Sequence, residues 1–270
     1  MTDQARVSEA AARLLEAELT RRATTPIRDD FDALDLDSAY AVQQSITDYG
    51  VAAGRRLIGR KIGLTNPVVQ EQLGVNQPDF GALFADMAFP SGVDLPANRL
   101  IQPRAEAEIA LVLGSDLARP DSTIVDLISA TDYAVAALEI VDSRIENWDI
   151  RITDTIADNG SSGVFVIGNM PVPLSAVDVR AVEMSMSVNG EVVSEGTGAA
   201  CLHNPLNAAL WLVNEVARRG IPMAAGDIVL TGALGPMHPL LPGDHVRATI
   251  TGLGTVSCRL PDRSTEGAKK

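Results

Sequence analysis

Glu106 and Glu108 stand two residues apart at the head of the apolar run Ile109–Leu113. On an extended chain, residues i and i+2 project from one face with Cα atoms roughly 7 Å apart. Two carboxylates gathered in this way repel each other unless a cation or a proton sits between them. A solvated strand start would carry the same pair without chemical consequence. Glu139 weighs on the first side, because it interrupts the apolar run AVAALEIV. An ionised carboxylate there is costly unless it is paired or bound to a metal. A buried arginine partner, or a place on the outer face of an edge strand, would also satisfy it. Three acidic side chains, one of them inside an apolar strand, suit a hard divalent cation such as Mg²⁺ or Mn²⁺. Such ions take oxygen ligands and leave positions open to water or to a bidentate oxygen ligand.

Lys61 lies in the apolar stretch IGRKIGL next to Arg60. Strand alternation turns the two to opposite faces, so one of them faces inward. An inward cation can bind a substrate carboxylate or donate a proton; an edge-strand lysine that discourages aggregation is the plainer role. Asp79 falls in NQPDFGALF, which reads as a turn of the kind that holds site residues, or as a simple Asx-turn. DNGSSG, at 158–163, could offer backbone N–H groups and the hydroxyl of Ser161 or Ser162 to an oxyanion, or merely start a strand. There is no GxSxG, and the three histidines are His203, His238 and His245, all in the last third. That argues against a serine hydrolase and against histidine-based zinc sites.

The elements that must position these residues follow from periodicity and punctuation. An amphipathic helix is predicted over 5–22, with Ala11, Leu14, Leu15 and Leu19 on one face. A second helix is predicted over 37–51, with Asp37 or Ser38 as N-cap and Gly54 as its stop. Residues 56–64 read as a strand, 66–73 as a short helix, and 74–103 mostly as loop and short turns. Strands are predicted at 108–114, 133–143 and 163–168, with a short helix at 123–130. Asn189-Gly190 marks a hairpin, 205–219 reads as a helix closed by Gly220, and further strands follow before a polar tail at 263–270. Helices come first and mostly strands after, without regular βαβα alternation. The expectation is an α+β fold of mixed β-roll type: one catalytic domain, 1–262, with a helical part over 1–55 and a core over 56–262.

The 270 residues are 46% hydrophobic and 21% charged, with a mean hydropathy of +0.11. That is enough apolar material for a full core. Acidic residues outnumber basic ones 35 to 22, a formal charge of −13, which argues against a nucleic-acid partner. An anionic small substrate remains compatible, because a few local cations and a metal override net charge. Cys201 and Cys258 are the two cysteines, and no CxxC is present. No GxGxxG follows a first strand and no GxxxxGK[ST] occurs, so nucleotide chemistry has no support. No stretch reaches the length of an uncharged membrane span, and the N-terminus lacks the apolar core of a signal peptide. A reducing cytoplasm is the expected compartment.

Six segments taken in order, GRKIGLT, GVNQPDFGALFADM, QPRAEAEIALVL, ALEIVDSRIENW, DTIADNGSSG and TGALGPM, resemble the 2-keto-4-pentenoate hydratase (2-hydroxypenta-2,4-dienoate hydratase) family of the fumarylacetoacetase superfamily. The likeness covers nearly the whole chain. It implies a mixed β-roll, a Mg²⁺ or Mn²⁺ site, a homo-oligomer and a place in aromatic meta-cleavage catabolism, with a possible complex with other pathway enzymes. Position by position, Glu106, Glu108 and Glu139 match the family's metal-binding carboxylates. Lys61 and Asp79 match its catalytic or substrate-binding lysine and aspartate, and Ser161 matches the serine of its DNAS pattern. Here that pattern reads DNGS, with Gly160 in place of alanine. The activity so implied is hydration of a small anionic 2-hydroxy-2,4-dienoate to a 4-hydroxy-2-oxo acid. A 4-oxalocrotonate-type decarboxylase using the same glutamates is the nearest rival, and a non-catalytic subunit of a catabolic complex is a third possibility.

Overall fold

A computed structural model describes residues 3–262 except 33–34, 67–69, 71–74 and 76. Most of the short helix expected over 66–73, and the tail at 263–270, lie outside the described residues. In chain order the helices are Asp3–Thr20 (α1), Leu36–Ala52 (α2), Ile124–Ala130 (α3), Ile152–Ala157 (α4) and Pro205–Arg218 (α5). The strands are Leu57–Gly63 (β1), Asp79–Phe84 (β2), Ala88–Pro90 (β3), Val93–Asp94 (β4), Arg104–Leu113 (β5), Thr131–Val141 (β6) and Ser162–Ile167 (β7). They continue with Glu183–Val188 (β8), Glu191–Thr197 (β9), Ile228–Ala233 (β10), His238–Pro239 (β11), His245–Ile250 (β12) and Gly254–Arg259 (β13).

The strands form two mixed sheets. The larger runs β2-β1-β10-β5-β6-β7-β3, with β11 added to β5, and the smaller runs β4-β13-β12-β8-β9. In the larger sheet β1 pairs parallel with β10 and β3 parallel with β7, while the other pairings along its path are antiparallel. The smaller sheet packs its β12 and β13 against β6. One contiguous buried cluster runs from Val7 on α1 to Leu260 after β13. A second, smaller cluster (Ala82, Phe84, Ala110, Val135, Phe165) fills the other face of the larger sheet. Because β5 and β6 are covered on both faces, they read as almost continuous apolar runs, and their glutamates stand out.

Several local expectations need correction. The buried stripe of α1 is Val7, Ala10, Ala11, Leu14 and Ala17, and Leu19 is 70% exposed. The stripe follows the helical repeat back toward the N-terminus and leaves Leu19 beyond it. The N-cap of α2 is Asp35, whose side chain accepts from the Ser38 N–H, rather than Asp37 or Ser38. Gly54 does end the helix, with φ +87°. The loop expected over 74–103 contains β2, a strand buried at all six positions. FGALF is too short and too glycine-broken to show a period. It becomes a strand because β1 supplies a ladder from Leu57↔Phe84 to Gly63↔Asp79.

Candidate active site

Glu106 and Glu139 sit directly opposite each other in the β5–β6 ladder. Like charges at that position destabilise a sheet unless something neutralises them. Glu108, two residues along the same face, completes a trio in which one carboxylate oxygen from each residue lies within 4.8 Å of the others. Glu108 Oε2 accepts the Gly232 N–H at 2.9 Å. That N–H is available because β10 breaks register at this point. Gly232 has φ +99°, and a Cβ there would lie 2.4 Å from Thr65 Oγ1, so the position requires glycine. The Ser162 hydroxyl donates to Glu139 Oε1 at 3.4 Å. Glu108 Oε1 is buried without a hydrogen-bond partner, and Glu139 Oε2 is answered by the Lys61 ammonium alone. Convergent carboxylates with an orphaned buried oxygen are a donor set that fits a divalent cation.

Lys61 reaches this cluster from β1, its Nζ 3.3 Å from Glu139 Oε2. Its stem passes over Gly160, where an added Cβ would come within 3.1 Å of Lys61 Cδ. Sequence alternation left open which of Arg60 and Lys61 faces inward. Both are buried, at 5% and 3% exposure, with Lys61 on the carboxylate side. Arg60 instead donates to the Gly59 carbonyl at 3.0 Å. Burial alone would pull the Lys61 pKa down. The combined attraction of Glu139, Asp79, Glu106 and Glu108 outweighs burial and holds it above the ordinary lysine value. Lys61 is therefore a fixed positive charge.

Asp79 is buried and opens the strand β2, at a place where the sequence predicts a turn. Both of its carboxylate oxygens are without a hydrogen-bond partner. Burial pushes its carboxyl up against the opposing pull of Lys61. The facing residue on β1 is Gly63, and a Cβ there would lie 2.1 Å from Asp79 Oδ1. The missing side chain of Gly63 is what makes room for the carboxylate. Gly63→Ala is expected to displace Asp79 and lower turnover roughly 10²-fold, the scale of an ångström-sized misplacement. Steady-state kinetics with circular dichroism checks this; a folded, fully active variant would contradict it.

Ser161 ends a left-handed turn, Asn159 (φ 55°), Gly160 (φ 61°) and Ser161 (φ 53°). Two non-glycine residues in that region persist only where their surroundings over-determine them. Here the Asn159 side chain pairs with the free edge of β2: Oδ1 accepts from Ala82 N at 2.6 Å and Nδ2 donates to Ala82 O at 3.0 Å. Behind the turn, Arg144 donates to Asp158 Oδ1 at 2.5 Å and to the carbonyls of Asp142 and Ser162, each at 2.6 Å. The turn aims a buried Ser161 hydroxyl that has no hydrogen-bond partner.

Lys61, Asp79, Glu106 and Ser161 line one cavity of about 760 Å³, with Arg104, Trp148 and Met237 also on its wall. Glu139 and Glu108 stand beneath it, within reach of Glu106. All six residues singled out in the sequence therefore meet at one place. Ser162, the alternative to Ser161 in the sequence, instead donates to Glu139; Gly63, Arg144, Arg104 and Trp148 were not singled out. The arginine closing the apolar run into VDSR was the available signal for Arg144. The position of Arg104, on the same strand alternation as Glu106 and Glu108, was the signal for that residue.

Burial pushes all three glutamates up, and the repulsion of Glu139 adds to this at Glu106 and Glu108 while Lys61 opposes it. Glu106 is pushed up to about 7 from an ordinary 4.5. A carboxyl whose folded pKa lies above its unfolded value loses stabilisation as pH rises between the two. The chelated protein should therefore lose thermal stability as pH rises from about 5.5 to about 8, and excess Mg²⁺ should remove that loss. A melting temperature that rises over this interval in chelator would contradict the assignment.

A family profile described as "Fumarylacetoacetate (FAA) hydrolase C-terminal" matches residues 64–260. The chain is 57% identical over 251 residues to 2-keto-4-pentenoate hydratase 1 of Dechloromonas aromatica (strain RCB), covering 93% of this chain and 95% of that one. It is 54% identical over 256 residues to the 2-keto-4-pentenoate hydratase of Burkholderia vietnamiensis (strain G4 / LMG 22486), covering 95% and 98%. Among solved structures, 4-oxalocrotonate decarboxylase from Pseudomonas putida G7, complexed with magnesium and adipate, superposes with a TM-score of 0.91 at 35% identity over 96% of this chain and 98% of that one. With a buried carboxylate trio on a mixed sheet and this extent of likeness, the chain belongs to the fumarylacetoacetate hydrolase family and, within it, to the 2-keto-4-pentenoate hydratases.

Proposed function

We propose that this protein adds water to a 2-hydroxy-2,4-dienoate of the 2-keto-4-pentenoate type and releases a 4-hydroxy-2-oxo acid, in meta-cleavage aromatic catabolism. The observation that carries this is the convergence of Glu106, Glu108 and Glu139 beside Lys61, Asp79 and Ser161 at one cavity, in a chain 57% identical to a named hydratase. Glu106, Glu108 and Glu139 would hold the divalent cation, Mg²⁺ or Mn²⁺, which supplies Lewis-acid polarisation of the C2 oxygen when bound. That the relative in the 4-oxalocrotonate decarboxylase structure is complexed with magnesium supports this choice.

The chain's own groups account for the remaining steps. Lys61, fixed against Glu139, offsets part of the negative charge of the trio and so permits an anionic substrate to enter. Held in its charged form, it is no base. Asp79 keeps its proton to higher pH than an ordinary aspartate, which suits it to deliver that proton to C5 of the dienoate. The carboxylate so formed can then take a proton from the water whose oxygen adds at C4, while the proton lost from the 2-hydroxyl as the C2 carbonyl forms is balanced by one taken up at C3 from solvent. Ser161, with an unpaired hydroxyl, can donate to a substrate oxygen. A homo-oligomer, as the family resemblance implies, is part of this proposal, as is catalysis by one domain spanning 1–262.

The test is the loss of dienoate absorbance by purified protein with and without EDTA, repeated after Mg²⁺ or Mn²⁺ is restored. Hydration that needs the cation supports the proposal, and full activity after exhaustive chelation overturns its metal part. The decarboxylase alternative is favoured by one observation, the 35% identity and TM-score of 0.91 to a protein of that name. The higher identity to named hydratases weighs against it.

A further inference from the structure

β2 is the end strand of the larger sheet, so its outer edge has no neighbouring strand. Backbone groups buried along such an edge must find partners elsewhere. Two side-chain amides supply them. Asn159 takes both backbone groups of Ala82. Gln43, on α2, takes the carbonyl two residues earlier on the same edge: its Nε2 donates to the Phe80 oxygen at 2.7 Å. The same nitrogen donates to the Ile156 oxygen, in the last turn of α4, also at 2.7 Å. A carboxamide nitrogen carries two N–H donors, and Gln43 spends one on each element. The side chain is buried, which shields the bridge from water.

Phe80 is the residue next to Asp79, and α2 grips it twice. Besides the hydrogen bond from Gln43, the Tyr40 ring stacks on the Phe80 ring, with centroids 4.7 Å apart and planes at 21°. Tyr40 and Gln43 are three residues apart and so share a face of the helix. At the other end of the bridge, α4 is a fixed post. Asp154, in its first turn, accepts from the Ile27 and Arg28 N–H groups, each at 2.9 Å, and from Arg28 Nη1 at 2.8 Å. Thr155, next to Ile156, lines the cavity with Asp79 and Ser161, and the chain runs from α4 into the Ser161 turn. The Gln43 amide therefore sets how far the Asp79 end of β2 stands from the α4 side of the cavity. Gln43 itself stands behind the cavity wall rather than on it.

From this geometry we infer that Gln43 is a positioning residue for Asp79. It fixes the strand end that presents the Asp79 carboxyl, at the spacing from α4 that proton delivery requires, without touching the substrate. The inference deepens the hydratase proposal and rests on it. It also gives α2, which precedes the family match at 64–260, a task in the reaction. A methionine of similar length would fill the space and donate to neither carbonyl. An asparagine keeps the amide but falls one methylene short of bridging both. The carboxylate trio stands on β5 and β6, so cation binding should be indifferent to Gln43.

The test is a double-mutant cycle on dienoate hydration by the full chain with Mg²⁺, with Mg²⁺ affinity measured alongside by calorimetry. Gln43→Met should lower kcat roughly tenfold to 10²-fold, the scale of a small misplacement of a reacting group, with Mg²⁺ affinity within about twofold of wild type. In the Asp79→Asn background the same substitution should cost less than about threefold, because the group it positions is already lost. A merely structural role would cost the same factor in both backgrounds. Gln43→Asn should fall between wild type and Gln43→Met. Should Gln43→Met fail to fold, Gln43→Asn carries the same cycle. Equal losses in the two backgrounds, an unchanged kcat in Gln43→Met, or a fall in Mg²⁺ affinity as large as that in kcat would each overturn the positioning role and leave the hydratase proposal standing. Absence of hydration by the wild type would overturn the hydratase proposal, and this inference with it.

Discussion

Glu106→Gln is expected to weaken divalent-cation binding at least 10²-fold and to reduce hydration to near background while the fold survives. Even partners of metal ligands, without touching the ion, commonly matter 10–100-fold, so removing a direct anionic ligand should cost no less. The substitution leaves the Lys61–Glu139 pair in place. It also relieves the repulsion between two carboxylates that face each other across the ladder, so the apo-protein should gain stability rather than lose it. Glu139→Gln should lose the cation equally, but it also takes the nearest counter-charge from Lys61. Asp79, Glu106 and Glu108 still surround that lysine, so the chain should fold with reduced stability. Calorimetric Mg²⁺ titrations with thermal melts separate the two. Wild-type affinity in Glu106→Gln would remove it from the ligand set.

These carboxylates were legible in the sequence because strand alternation is a rigid rule. Two glutamates at i and i+2 must share a face, and Glu139 inside an apolar run must be answered by something. The long strands β5 and β6 and the Asn189-Gly190 hairpin were visible for the same reason, being set by local pattern. What was hidden depends on partners distant in sequence. β2 is a strand because β1 lies beside it, and Asp79 is buried because Gly63 has no side chain to exclude it. Leu19 is exposed because the core ends before it reaches the last turn of α1. Arg104 and Trp148 are far apart in sequence, and only the folded chain sets the guanidinium of the first over the ring of the second.

Asp79→Asn is expected to lower hydration roughly 10²-fold or more, the usual contribution of a positioned general acid or base. The amide is nearly isosteric, so the space provided by Gly63 still accommodates it, and the cation trio is untouched. Burial disfavours the ionised carboxyl while Lys61 favours it, so a neutral amide of the same shape should leave the fold intact. The fall should therefore appear in kcat, with cation affinity changed far less. The wild-type pH profile should show a group above the ordinary aspartate range, in line with the direction set by burial, and that limb should vanish in the variant. Near-wild-type hydration by Asp79→Asn would take the proton-transfer role away from this residue. A loss of cation affinity as large as that of Glu106→Gln would make Asp79 a ligand instead.

The most direct measurement follows the reaction of 2-hydroxypenta-2,4-dienoate in D₂O by NMR, with the Mg²⁺-loaded protein and a parallel assay for CO₂. Delivery of a proton to C5 followed by addition of water at C4 predicts 4-hydroxy-2-oxopentanoate with deuterium at C5 and at C3, and no CO₂. The same protein given 2-oxohex-3-enedioate should release CO₂, if at all, more slowly than it hydrates the dienoate. Stoichiometric CO₂ from the diacid with accumulation of unreacted dienoate would contradict the hydratase assignment and make the protein a decarboxylase built on the same three glutamates.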